Sequence, residues 1–94
     1  MTLKGTSEAD DLTNSGSLVT IKAGAGNDTI DNDGAQVIID ANAGNDNISN
    51  EGSFATIDGG KGDDTVYSSG SLVTINTGAG NDSIFKRMCS QTFK

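Results

Sequence analysis

Apolar residues return along this chain in three series that share one spacing. Leu12, Ile30, Ile48, Val66 and Ile84 stand 18 residues apart. So do Val19, Val37, Ala55 and Val73 and, two positions on, Ile21, Ile39, Ile57 and Ile75. Polar residues alternate with them, as in Val19-Thr20-Ile21-Lys22, which is the period of a half-buried strand. Two sets of turn formers keep the same interval: Gly16, Gly34, Gly52 and Gly70, and Asp10, Asp28, Asp46, Asp64 and Asp82. No insertion breaks the register, and an unbroken period outranks local propensity as a guide to architecture.

Each unit therefore holds two halves of nine residues, each a turn followed by a short strand. The first half reads Ala23-Gly24-Ala25-Gly26-Asn27-Asp28-Thr29-Ile30-Asp31 and recurs at 41–49, 59–67 and 77–85, with a degraded copy at 5–13. The second half, at 32–40, is a glycine turn and a strand containing Val37-Ile38-Ile39. A single coil cannot bury its own apolar edge. Stacking coils at the roughly 4.8 Å strand spacing places Ile30 over Ile48 and Ile39 over Ile57 in continuous ladders. The expectation is an all-β chain, a right-handed parallel β-roll (solenoid) of about four and a half coils over residues 1–85. Residues 1–6 would cap the first coil through Leu3. Residues 86–94 break the period and reverse the local charge. They would be a non-repeat tail or cap that folds Phe85, Met88 and Phe93 over the last coil, an unstructured remnant, or part of a secretion signal. Cys89 is read there as incidental.

Composition makes this core look thin. Leu, Ile, Val and Phe number 19 of 94 residues, and 13 acidic against 6 basic residues leave a net charge of −7. Such a chain lies near the composition at which folding fails without help. No apolar run approaches the length of a membrane-spanning helix, so membrane insertion is not expected. The acidic balance repels phosphate backbones, so nucleic acid is not an expected partner, and it attracts cations. With no histidine and the single Cys89, a thiolate zinc site, an internal disulfide and the usual triads are excluded. A metal here must favour oxygen ligands, and no enzyme activity is expected.

Gly24-Ala25-Gly26-Asn27-Asp28-Thr29-Ile30 and Gly60-Lys61-Gly62-Asp63-Asp64-Thr65-Val66 carry the pattern Gly-x-Gly-x-Asp-x-apolar. This resembles the nonapeptide of the repeats-in-toxin (RTX) calcium-binding family, and the resemblance spans residues 5–85. It implies calcium held between stacked turns, because calcium takes six to eight hard oxygens, more than one tight turn offers. Family ligands are the carbonyls of motif positions two and four with the aspartate of one turn, and those of positions one and three with the aspartate of the next. The resemblance thus implies one ion among Gly24, Gly26, Asp28, Ala41, Ala43 and Asp46. A second would use Asn42, Gly44, Asp46, Gly59, Lys61 and Asp64, and a third Gly60, Gly62, Asp64, Thr77, Ala79 and Asp82. A fourth set, Thr6, Glu8, Asp10, Ala23, Ala25 and Asp28, has Glu8 where a glycine belongs, which opposes closure of that turn. Three divalent ions would bring −7 to about −1. The competing reading makes the aspartates mere turn formers, but it leaves stacked like charges without a counterion.

The second half-turn carries Val19, Val37, Ala55 and Val73 where the motif has its aspartate, so that edge should bind no metal. It should carry an apolar seam with Asn14, Asn32 and Asn50 bonded along a ladder. Alternation assigns Leu18, Gln36, Phe54 and Leu72, with Thr20, Ile38, Thr56 and Thr74, to the outer face of the neighbouring strands. That strip is either a docking surface for a neighbouring domain or second copy, or ordinary β-propensity. The calcium turns also resemble the ice-binding repeats of a bacterial RTX adhesin, but Ala25, Ala43, Lys61 and Ala79 replace that ladder's threonines, which argues against ice binding. The family resemblance implies a secreted, extracellular module that folds when it meets calcium. The alternative is a metal-independent structural or adhesive solenoid acting through its outer face.

Overall fold

A computed structural model of the chain describes residues 2–69, 72–86 and 91–93. These residues form eleven short strands, every pairing parallel, in two sheets. One sheet runs β1 (Thr2–Lys4), β3 (Thr20–Lys22), β5 (Ile38–Asp40), β7 (Thr56–Asp58), β9 (Val73–Asn76) and β11 (Gln91–Phe93). The other runs β2 (Asp11–Asn14), β4 (Thr29–Asn32), β6 (Asn47–Asn50), β8 (Thr65–Ser68) and β10 (Ser83–Lys86). The register advances by one sequence repeat at every step: Leu12 pairs with Ile30, Ile30 with Ile48 and Ile48 with Val66. On the other sheet Ile21 pairs with Ile39, Ile39 with Ile57 and Ile57 with Ile75. The chain is a parallel β-solenoid.

The core is the narrow space between the sheets. Ile21, Ile39, Ile57 and Ile75 meet Ile30, Ile48 and Val66 there, and Val19, Val37, Ala55 and Val73 close one side. Leu3, Leu12 and Ile84 pack partly buried against this cluster. Leu3 thus has the covering position expected of it. Period-two alternation sends the next residue of each strand outward, so Thr29 and Asp31 flank buried Ile30 in solvent.

Two features differ from expectation. Leu18, Gln36, Phe54 and Leu72 are not strand residues; they sit in the turns before β3, β5, β7 and β9, with φ between 56° and 59°. Leu18, Phe54 and Leu72 are exposed as foreseen, but from turns. A left-handed residue reverses the chain there, at roughly 1–2 kcal/mol for a side-chain-bearing residue. The glycines of this edge serve a different need. A Cβ on Gly34 would collide with the carbonyl oxygen of Gly16, and one on Gly52 with that of Gly34. Secondly, the repeat motif ends near Phe85 but the backbone register does not. Gln91 pairs with Val73 and Phe93 with Ile75, 18 residues earlier, giving five turns where about four and a half were expected. Ladder hydrogen bonds use main-chain groups, so pairing continues without the motif's side chains. The expectations for Gly70, Met88 and Cys89 lie outside the described residues.

The asparagine ladder expected opposite the aspartate edge is present. Asn14 Nδ2 donates to Asn32 Oδ1 at 2.8 Å, and Asn32 Nδ2 donates to Asn50 Oδ1 at 2.7 Å. Each carboxamide also serves its own turn: Asn32 Nδ2 donates to the Gly34 carbonyl at 3.1 Å, and Gly34 N donates to Asn32 Oδ1 at 3.1 Å. Asn32 is fully buried with both donors and both lone pairs engaged. Replacing it by alanine strands buried groups of Gly34, Asn14 and Asn50, each costing about 1–3 kcal/mol if unsatisfied. Asn32→Ala should therefore lower stability by about 2–4 kcal/mol, measured from the urea midpoint in excess calcium. A loss below about 1 kcal/mol would show that the ladder does not hold this edge.

Candidate metal centre

Five turns stack along the opposite edge, at 5–10, 23–28, 41–46, 59–64 and 77–82. Four share one conformation, with positive φ at Gly24 and Gly26, Asn42 and Gly44, Gly60 and Gly62, and Gly78 and Gly80. Gly44 shows why the motif's second glycine is needed. Its φ is 105°, and a Cβ there would strike the carbonyl oxygen of Gly26 one coil below. Asn42, at 69°, holds a glycine position, and asparagine is among the few residues that tolerate it. The first turn departs from the others. Thr6 and Glu8 occupy its two special positions, and neither takes positive φ.

The close approach also shows where the carbonyls point. Those of Gly26, Gly44 and Gly62 face the turn one coil on, and so do those of Asn42 and Gly60. Ala23, at position one, directs its carbonyl back toward Gly5 on the coil before. Carbonyls at positions two and four thus point forward along the stack, and at Ala23 position one points back. The sequence-derived sets bring together adjacent turns: Gly24, Gly26 and Asp28 lie against Ala41, Ala43 and Asp46. Asn42, Gly44 and Asp46 lie against Gly59, Lys61 and Asp64, and Gly60, Gly62 and Asp64 against Thr77, Ala79 and Asp82.

The aspartates form a directed ladder. Asp10 N donates to Asp28 Oδ1 at 2.9 Å, Asp28 N to Asp46 Oδ1 at 2.9 Å, Asp46 N to Asp64 Oδ1 at 3.0 Å and Asp64 N to Asp82 Oδ1 at 2.8 Å. One oxygen of each carboxylate is thereby occupied. The other, Oδ2, is buried and without any hydrogen-bond donor in Asp28, Asp46 and Asp64. A buried anionic oxygen with no donor is costly, and three stacked in a row compound the cost. In the first turn Asp10 Oδ2 instead accepts from Thr6 N at 2.6 Å, and Thr6 Oγ1 donates to Asp10 Oδ1 at 3.0 Å. Thr6 satisfies there what the three inner turns leave unsatisfied.

Burial, followed by repulsion from Asp64 and Asp28, pushes the Asp46 carboxyl up to about 7, although the bond from Asp28 N opposes it. Asp64 is raised to about 6, chiefly by burial, and Asp28 is raised for the same leading reason. The metal-free stack disfavours its own negative charge.

A second ladder, one residue before each aspartate, runs the other way. Asn45 N donates to Asn27 Oδ1 at 2.8 Å, Asp63 N to Asn45 Oδ1 at 2.8 Å and Asn81 N to Asp63 Oδ1 at 2.9 Å. The sequence reading assigned these side chains no part in holding the turns together. Their 18-residue recurrence was the available signal. The two opposed ladders pin each turn to both neighbours.

Among the described residues no cluster of three or more His, Cys, Asp and Glu side chains could hold a metal ion. The edge instead offers turn carbonyls and the stacked carboxylates of successive coils. That donor set is all oxygen and suits calcium. The three donor-less Oδ2 atoms are where a cation's charge is needed, so the residues present fit the ion.

The comparisons agree with this geometry. A model of the RTX calcium-binding nonapeptide repeat (4 copies) matches residues 19–35, 56–71 and 73–85. No curated protein and no solved structure gives a significant match. The motif, the 18-residue coil and the all-oxygen aspartate edge converge on one assignment: the chain carries repeats of the RTX calcium-binding nonapeptide family.

Proposed function

We propose that this chain is a folding module switched by calcium: it binds about three ions between its stacked turns and completes its β-roll only when they are present. The carrying observation is the row of buried, donor-less Oδ2 atoms of Asp28, Asp46 and Asp64. The ions occupy the three sets on adjacent turns, with Asp46 and Asp64 shared between neighbours. The Asp10 turn contributes less, because Thr6 already uses its carboxylate. Ion binding adds to a thin apolar core the free energy it lacks. The RTX membership supports a bacterial secreted origin, with the chain expanded where calcium is scarce and folded outside the cell, as part of or derived from a larger protein.

The test is to strip the protein with a chelator and return calcium while following far-ultraviolet circular dichroism, with magnesium as control. A cooperative gain of β signal with calcium alone is expected. Full β signal in excess chelator would sink the switch. It would favour the second reading, a metal-independent structural solenoid, for which the complete asparagine ladder speaks.

A further inference from the structure

The outward column Ser49, Tyr67, Phe85 lies on three successive strands, β6, β8 and β10, in register. The Tyr67 and Phe85 rings stack with centroids 4.8 Å apart and planes inclined by 15°. They are 48% and 50% exposed, a large apolar area for residues that do not serve the core. Phe85 covers one face of Tyr67. One coil back the same column holds Ser49, too short to cover the other face. A cavity of about 210 Å³ borders this column, lined by Ser49, Glu51, Tyr67, Ser69 and Phe85 together with Asn50 and Ser68.

This site lies beside the turns of the asparagine ladder, on the edge opposite the stacked Asp28, Asp46 and Asp64. Its chemistry is an aromatic platform rimmed by hydroxyls and one carboxylate. Among the described residues no lysine or arginine lines it, and Glu51 is its one charged group. A purely apolar ring would leave Ser49, Ser69 and Glu51 unmatched. An ammonium or guanidinium would use Glu51, the ring face and the serine oxygens as acceptors, but it offers no acceptor to the serine O–H donors. A pyranose ring uses all of them, since its C–H face packs on an aromatic plane and its hydroxyl edge bonds to serine and carboxylate oxygens. The volume lies below the roughly 300–1,000 Å³ of drug-sized sites, which fits one ring and not a longer buried chain. We propose that Tyr67, Phe85, Glu51, Ser49 and Ser69 form a carbohydrate subsite in which one pyranose ring occupies the rung over Ser49 and stacks on Tyr67.

The test uses the full chain in excess calcium, with its β signal verified. Saturation-transfer NMR is recorded with the methyl pyranosides of glucose, galactose, mannose and N-acetylglucosamine, and with tetramethylammonium and argininamide as cationic probes. Transfer to the ring C–H protons of at least one pyranoside is expected. Tyr67→Ala should weaken that binding by about three- to ten-fold. Glu51→Gln should weaken it measurably with unchanged circular dichroism. If Tyr67→Ala lowers the β signal, Glu51→Gln and Ser69→Ala carry the decision. No transfer to any pyranoside, transfer to the cations alone, or unchanged affinity in folded Glu51→Gln would each overturn the proposal.

Discussion

Asp46→Asn is expected to make the metal-free chain more stable and the calcium response much weaker. Asparagine keeps the oxygen that accepts from Asp28 N and removes the charge. Asp46 Oδ2 is buried without a donor and its carboxyl is raised to about 7, so its ionised form costs the metal-free fold a few kcal/mol. In calcium the same charge is an asset, and Asp46 belongs to two of the three proposed ligand sets. The substitution should shift the calcium midpoint at least ten-fold upward and reduce the number of ions bound in a calorimetric titration. An Asp46→Asn chain with the wild-type midpoint would remove Asp46 from the ligands.

The pH dependence follows with a definite sign. The folded-state values of Asp46, Asp64 and Asp28 lie above the ordinary 3.8, so the metal-free fold takes up protons relative to the unfolded chain. Their contribution is fully present below about pH 4 and is lost as pH rises through 6 to 7, the folded values of Asp64 and Asp46. In chelator, acidifying from pH 8 toward 5 should therefore raise the β signal, and less so in Asp46→Asn. With calcium the trend reverses, because protons compete with the ion for the same carboxylates.

Gly44→Ala is expected to be the more damaging change. At φ 105° an alanine is strained by roughly 1–3 kcal/mol, and its Cβ must also displace the Gly26 carbonyl below it. Separating the two coils would lengthen the hydrogen bonds of both turn ladders at that level, from Asp28 N to Asp46 Oδ1 and from Asn45 N to Asn27 Oδ1. A loss of about 4 kcal/mol or more is expected, with no β signal at calcium levels that fold the wild type. Alanine at Gly16 offers the contrast, since a Cβ there meets only ordinary contacts at 3.7 Å. Equal tolerance of both substitutions would refute the close-stacking argument.

The period and the motif made most of this legible before any coordinates. A fixed repeat of 18 leaves one way to align Ile30 with Ile48, and alternation then decides which side of each strand is buried. The aspartate edge and the asparagine seam were equally plain, because one side chain recurred at one phase of the repeat. The edge turns were harder to read. Leu18, Gln36, Phe54 and Leu72 continue the strand alternation on paper, yet they take the left-handed conformation that composition would have assigned to the glycines. Those glycines are present for space, since stacked coils bring the Gly16 carbonyl against Gly34.

By itself, then, the sequence determined the coil length, the stacked partners, the buried faces and the acidic edge, since each depends only on spacing along the chain. The tertiary structure alone decided which carboxylate oxygen is held and which is left without a donor, and that the asparagines beside them form a ladder in the opposite sense. It also decided that the backbone register outlasts the motif at Gln91–Phe93, and that Tyr67 and Phe85 stack beside an open rung. These depend on the direction of individual hydrogen bonds and on distances between coils, and those quantities exist only once the coils are stacked.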